Sequence, residues 1–358
     1  MNDLIEKLPG QPNVTFKQFS GYIDVDGKAG RSLFYYFVEA ENDPMKRPLT
    51  IWLTGGPGCG SVGDGFLSVG PFITTANAHG LQRNLYSWIK VSNLLFIDSP
   101  IGAGWSYSNT SSDYEVGDDS TSKIMFNPIF SLFSFTKTCS HSYSNGLKSI
   151  QILSLEIYIL ADQAMQLGNP LLRNKLDTLA VYDFFWSRGM ININLHQQIL
   201  KECNGIDEDN YSNNATKCDV DKDIDMLPAL KKILQQSIPI TIFSGDQDAI
   251  VPTVGTLNHV NKLAKDMNLN LTKDEAWNHG NKGGGWMYSY GDLLTLMTVK
   301  GANHHRSQCF SSLQRKEYTA LALLFFTSFI SGRLCGYNVT QEKQCYGNDD
   351  SDIVHTTI

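Results

Sequence analysis

The sequence predicts an α/β protein built on a mostly parallel sheet. Three observations carry that expectation. Short, mainly apolar runs end abruptly in loops of glycine, serine and aspartate: Leu49–Leu53 before Gly55-Gly56-Pro57-Gly58, Asn93–Ile97 before Asp98-Ser99-Pro100, Ile238–Phe243 before Ser244-Gly245-Asp246, and Leu293–Val299 before Lys300-Gly301-Ala302-Asn303-His304. Near-continuous apolar runs of this length suit strands covered on both faces. Helix-patterned segments, Thr253–Ala264 and Leu313–Ile330, follow two of them. The polar residues gather just past the strand ends, where open α/β sheets hold their ligands.

The first element in chain order is a two-stranded meander over 14–38, rich in aromatic and β-branched residues and punctuated by Asp26-Gly27 and Gly30. The four apolar runs follow as sheet strands. Between them, 127–167 carries no clear strand–loop signature. Ser149–Leu167 reads as one helix with Ile152, Leu153, Leu155, Ile157 and Leu160 as its apolar positions. Residues 199–226 are polar and loop-like, an insertion or part of a cap. The apolar run Tyr318–Ile330 is too short to span a bilayer, which needs about 20 residues. No membrane segment is expected.

Composition narrows the classes. Of 358 residues, 42% are hydrophobic and 18% charged, enough apolar material for a sizeable core and unlike a disordered chain. At roughly 150 residues per domain, this is two domains or one large α/β unit. The formal charge is -7 with no basic stripe, which argues against nucleic acid as a partner. Seven cysteines include no C-x-x-C pair, so zinc-knuckle and thioredoxin-type sites lack support. Cys203 and Cys218 flank an Asn-rich stretch that a disulfide would staple. Six N-x-S/T sequons, at Asn13, Asn109, Asn210, Asn214, Asn270 and Asn338, point to a secretory compartment. The opening MNDLIEKLPGQPNV has no apolar h-region and does not read as a signal peptide.

Three strand ends carry residues fit for chemistry. Gly55 and Gly56 free the backbone to aim N–H groups at one point, as an oxyanion hole requires. Asp248 sits on a post-strand loop, where a carboxylate fixes a histidine tautomer. His304 follows the fourth strand, and on local pattern its neighbour His305 is an equal candidate. Asp precedes His in the order of α/β-hydrolases. A nucleophile is missing: G-x-S-x-G occurs nowhere. Gly104-Trp105-Ser106-Tyr107-Ser108 lacks the closing glycine, and Ser142 has no preceding strand. No cofactor or metal is implied.

Longer motifs then resemble the serine carboxypeptidase family, in particular its plant members. LPGQPNVTFKQFSGYIDVD is similar to the start of the mature enzymes, WLTGGPGCGSVGDG to their WLNGGPGCSS block, and NLLFIDSPIGAGWSYSNTSSDY to NxLFxESPxGVGFSYSN. GNPLLRNKLDTLAVYDFFWSRGMI resembles the segment leading into the insertion domain. IPITIFSGDQDAIVP resembles the aspartate block, GGGWMYSYGDLLTLMTVKGANH the histidine block, and ALALLFFTSFISGRL the final helix.

The resemblance implies an α/β-hydrolase fold with a mostly parallel central sheet and a truncated helical insertion. It implies one domain over 1–334, with 185–226 as the remnant cap and 335–358 as a polar tail. It further implies a glycosylated, disulfide-bonded, secreted or vacuolar hydrolase that cleaves C-terminal residues from peptides; some plant relatives are acyltransferases. Carried over by motif, Asp248 is the triad aspartate and His304 the triad histidine, which demotes His305. Gly56, with Gly55, belongs to the oxyanion loop, and Cys203–Cys218 is the first disulfide of the insertion.

This chain departs from the family pattern in several places. The GESYAG block, expected between Asp118 and Gly168, is absent, with its serine and adjacent glutamate. A second gap follows Cys218. Thr54 stands where the family has a carboxylate-binding asparagine. The resulting expectation is a carboxypeptidase-like hydrolase by descent that lacks its nucleophile. A non-catalytic binding relative is the alternative, and an acyltransferase-type relative the second. Peptide C-termini are the expected ligands of an active form.

Overall fold

The structure is a computed structural model that describes residues 3–26, 28, 30–55, 59–75, 80–115, 156–160, 164–203, 225–279 and 282–304. The meander forms as β2 (Gln18–Asp26) and β3 (Arg31–Val38), with a short β1 (Leu4–Ile5) on its outer edge. β4 (Leu49–Leu53) leads into the glycine loop and α1 (Ser61–Ser68). A small hairpin, β5 (Phe72–Thr74) and β6 (Leu81–Arg83), precedes β7 (Asn93–Ile97). β8 (Glu156–Leu160) and β9 (Ala164–Gly168) come next, then α2 (Asn174–Ser187), α3 (Ile193–Cys203) and α4 (Leu227–Gln235). β10 (Ile240–Gly245), α5 (Thr253–Asp266), β11 (Leu271–His279), β12 (Lys282–Tyr290) and β13 (Leu294–Val299) complete the described chain.

Among the described residues, eleven strands form one sheet in the order β1-β2-β3-β7-β4-β8-β9-β10-β13-β12-β11. Alternation along each strand divides it into two faces. Leu33, Ile51, Leu53, Leu95 and Ile97 join the core under α4 and α5, which adds Leu230, Ile233, Val260 and Leu263. Their neighbours Tyr36, Val38, Trp52, Leu94 and Phe96 point the other way, into an aromatic core with Phe72 and Trp88. Because side chains alternate with period two, a strand buried on both faces is apolar wherever its polar groups find no partner. That is why β4 and β7 read as near-continuous apolar runs, in which buried Thr50 pairs with Ser92 and Asn93 with backbone.

The expectation of a mostly parallel sheet is wrong. The arrangement is α/β-hydrolase-like, but the sheet is mixed and mostly antiparallel. Among the described residues, only β4–β7, β9–β10 and β10–β13 pair in parallel. The meander edge, the β11–β12 hairpin and both contacts of β8 are antiparallel.

The helix expected over Ser149–Leu167 is also overturned. Among the described residues this stretch is the hairpin β8–β9, inserted between β4 and β10. Short apolar runs are ambiguous between helix and strand. Here an open place in the middle of the sheet decides the matter: unpaired backbone N–H and C=O groups of β4 and β10 would otherwise be buried without partners. The β11–β12 hairpin was not foreseen either, because Gly283-Gly284-Gly285 reads as a loop. Gly284 makes room for Trp277, since a Cβ on it would lie 1.8 Å from the indole Cζ3, and Gly285 for the β13 backbone, since a Cβ there would lie 2.0 Å from Thr298 O. The expected last helix, Leu313–Ile330, and the tail 335–358 lie outside the described residues.

Candidate active site

Strand direction builds the site. β10 and β13 are parallel neighbours in register, Gly245 opposite Val299. The loops that follow them therefore leave the same sheet edge side by side. They are laced together by backbone: Asp246 N–H donates to Val299 O at 3.1 Å, and Gln247 N–H to Ala302 O at 2.9 Å. Gly301 N–H donates to Asp246 Oδ1 at 2.7 Å. Gly245 permits this approach, because a Cβ there would meet Ala302 O at 2.3 Å.

On this double loop Asp248 and His304 meet. His304 Nδ1 lies 2.9 Å from Asp248 Oδ2. An ionised carboxylate only accepts, so Nδ1 carries the proton and donates it, which leaves Nε2 as the basic nitrogen. The other carboxylate oxygen, Oδ1, accepts from Ile250 N–H at 2.8 Å and Val251 N–H at 2.9 Å. These two bonds hold the carboxylate in the turn before α5. Asp248 is 0% exposed and the His304 side chain 29%. The acid is enclosed while the imidazole reaches the surface, as an orienting acid and a base that meets ligand require.

Gly55 is buried just beyond β4, which runs in the same direction as β10, so it lies at the same sheet edge. Gly56 and His305 lie outside the described residues. Thr54, also buried, accepts from Trp52 Nε1 at 2.9 Å, and its N–H donates to Ser61 Oγ at 3.0 Å. Asp98, past β7, is fully buried. Its carboxylate accepts from Val62 N–H and Trp105 N–H, each at 2.9 Å, tying the start of α1 to the 98–108 loop. Burial pushes the Asp98 carboxyl above its ordinary range, against the pull of those two N–H groups.

Ser106, the serine of the nearest lookalike motif, is placed for structure. Ser106 Oγ donates to Asp98 O at 2.6 Å and accepts from Phe34 N–H at 2.8 Å. Ser142 lies outside the described residues. β8 runs antiparallel to both β4 and β9. Its first residue, Glu156, pairs with Gly168 at the edge where β9 ends, so the chain enters β8 from the site edge and travels away from it. A nucleophile elbow needs the opposite: a strand that arrives at the edge and turns into a helix.

Sequence reasoning passed over Asn169, whose side chain contacts both site loops. The cue was Gly168-Asn169-Pro170 directly after a strand, with asparagine as a residue that tolerates left-handed backbone. Of the cysteines, Cys59 is an exposed free thiol. Cys203 is buried at the end of α3, and its expected partner Cys218 lies outside the described residues.

A serine carboxypeptidase family model matches residues 9–142 and 210–315. The chain belongs to the serine carboxypeptidase family. It is 37% identical over 445 residues to serine carboxypeptidase-like 44 of Arabidopsis thaliana, covering 93% of this chain and 91% of that one. It is 36% identical over 450 residues to serine carboxypeptidase-like 42 of the same plant, covering 92% and 91%. Both alignments are longer than the chain itself, so these carboxypeptidase-like relatives carry internal segments that it lacks. A solved prohormone-processing carboxypeptidase from Saccharomyces cerevisiae superposes with a TM-score of 0.61 at 16% identity, over 88% of this chain and 91% of that one. That likeness supports the shared fold.

Proposed function

We propose that this serine carboxypeptidase-like protein keeps the base half of a hydrolase site, Asp248 and His304, and forms no acyl-enzyme, because among the described residues no serine is placed for that base to activate. In a complete relative, serine attacks the scissile carbonyl, His304 takes its proton through Nε2, Asp248 holds the tautomer, and the Gly56 loop receives the oxyanion. Attack needs placement within about an ångström, so a serine elsewhere on the chain does not substitute. The observation that supports this reading is the polarity of β8 in the sheet, together with the absence of G-x-S-x-G from the sequence.

The ligand class that fits the reading is a peptide C-terminus. Residues 1–334 act as one unit, with 185–226 as the remnant of a cap and Cys203–Cys218 as its staple. Passage through a secretory or vacuolar route is supported by family membership and by sequons on the surface. Asn13, Asn109 and Asn270 are exposed. Glycosidase treatment of protein secreted from a plant host should therefore release glycans from Asn13, Asn109 and Asn270. Bare asparagines at all of these positions would count against that route.

A serine-reactive fluorophosphonate probe tests the central claim. The protein should label no more than its His304→Gln variant. Labelling that disappears in His304→Gln would show an activated serine and overturn the proposal. Binding is read separately, by polarisation of a fluorescent peptide against the same peptide with an amidated C-terminus. Equal affinity for the two would remove the carboxylate as the recognised group.

A further inference from the structure

Two loops from different strands must be held in one arrangement for Asp248 and His304 to meet, and among the described residues the last backbone bond between them is at Ala302. Past Ala302, Asn169 bonds the histidine loop. This residue follows β9, is 4% exposed, and adopts a left-handed backbone at φ 41°. Its own N–H donates to Phe243 O on β10 at 2.8 Å. Its side-chain Oδ1 accepts from Gly245 N–H at 3.0 Å, and its Nδ2 donates to Asn303 O at 3.3 Å and His304 O at 3.2 Å. One amide group thus joins the end of the strand that presents Asp248 to the main chain that carries His304.

We propose that Asn169 is the positioning residue of the His304 imidazole: it fixes the histidine backbone against β10 so that Nδ1 faces Asp248. Three features fit this assignment. The amide is nearly enclosed, so its bonds are shielded from competing water and each counts for more than on a surface. A primary amide offers an acceptor and a donor on one rigid plane; aspartate would set a second acceptor against two carbonyl oxygens. The left-handed backbone aims that plane across the loop, and asparagine adopts this conformation more readily than most residues.

The inference rests on reading Asp248–His304 as the retained base pair, and its test reports the two separately. Histidine-selective ¹⁵N NMR of the intact chain reads the hydrogen-bonded Nδ1–H proton of His304, assigned by its loss in His304→Gln. A protected, downfield Nδ1–H in the parent protein supports the base pair itself; its absence would sink that reading. Two variants then address Asn169. Asn169→Gly keeps the left-handed backbone and removes the amide. Asn169→Asp keeps the shape and removes the donor. In both, the His304 proton should move upfield and exchange with solvent about tenfold faster. The buried His259–Asp177 pair, 2.9 Å apart on other elements, serves as the internal reference and should keep its signal. An unchanged His304 resonance in either variant would overturn the assignment. Equal disturbance of His304 and His259 in both would do the same, because it would show a general structural role.

Discussion

Asp177 and His259 form a second acid–imidazole pair, 2.9 Å apart, in which both side chains are at most 2% exposed. The pair joins α2 to α5. Asp177 Oδ2 also accepts from the N–H groups of Leu172 and Arg173 at 2.8 and 2.9 Å, closing the first turn of α2. The partners match those of Asp248–His304 in chemistry and separation. Two things distinguish a pair that can meet a ligand from one that fastens two helices: His304 is 29% exposed, and it bonds its acid through Nδ1 and not Nε2, whereas His259 bonds through Nε2.

Removing the Asp177 carboxylate leaves a buried imidazole and two backbone donors unpaired. Asp177→Ala should therefore lower unfolding free energy by about 3–5 kcal/mol. Urea denaturation followed by far-UV circular dichroism measures this. A change below about 1 kcal/mol would mean that water takes over the three bonds.

Gly245 and Gly63 should respond in opposite directions to the same substitution. A Cβ on Gly245 would lie 2.3 Å from Ala302 O, a backbone atom of the histidine loop, whereas one on Gly63 in α1 meets nothing within 4 Å. Gly245→Ala should cost about 1–3 kcal/mol through forced backbone shifts. Gly63→Ala should gain up to about 1 kcal/mol from helix propensity and a less free unfolded chain. Thermal and urea midpoints of the two variants decide it, and a neutral Gly245→Ala would refute the close packing of the two site loops.

The Arg31 guanidinium beside Asp113, and then the Ser108 hydroxyl, hold the Asp113 carboxyl below its ordinary range. A depressed carboxylate stabilises the fold above its unfolded pKa of about 3.9, and that contribution is lost as pH falls through the lower folded value. The melting temperature of Asp113→Asn should accordingly lie below that of the parent at pH 7. The gap should close on acidification below about pH 3.9. Asp98, raised by burial, acts with the opposite sign but is common to both proteins and cancels in the difference. A gap that stays constant with pH would rule out the ion pair as its source.

Several elements were legible because local chemistry and tertiary demand agree in them. Leu49–Leu53 and Asn93–Ile97 are apolar on both faces, stop at glycine or aspartate, and form β4 and β7 with those bounds. Thr253 starts α5 where Pro252 ends the preceding loop. Asp248 and His304 were recognisable because each follows a strand that ends in a short polar loop, and parallel pairing brings such loops to one edge. Glu156–Leu160 was not legible as a strand. The same five residues satisfy a helical or an extended pattern, and the choice rests on a vacancy between β4 and β10 that is far away in sequence. Asn169 was missed for a related reason, since its partners lie 76 to 135 residues further along the chain.

By itself, then, the sequence determined the strand runs, the family motifs and the lack of a nucleophile motif, since each is written in contiguous residues, and the resemblance of those motifs singled out Asp248 and His304. Only the tertiary structure decided the mixed direction of the sheet, the reversed β8 at its centre and the amide that ties Gly245 to His304. Those depend on which backbone groups find partners once distant segments are brought together, and free energies of that kind have no local signature.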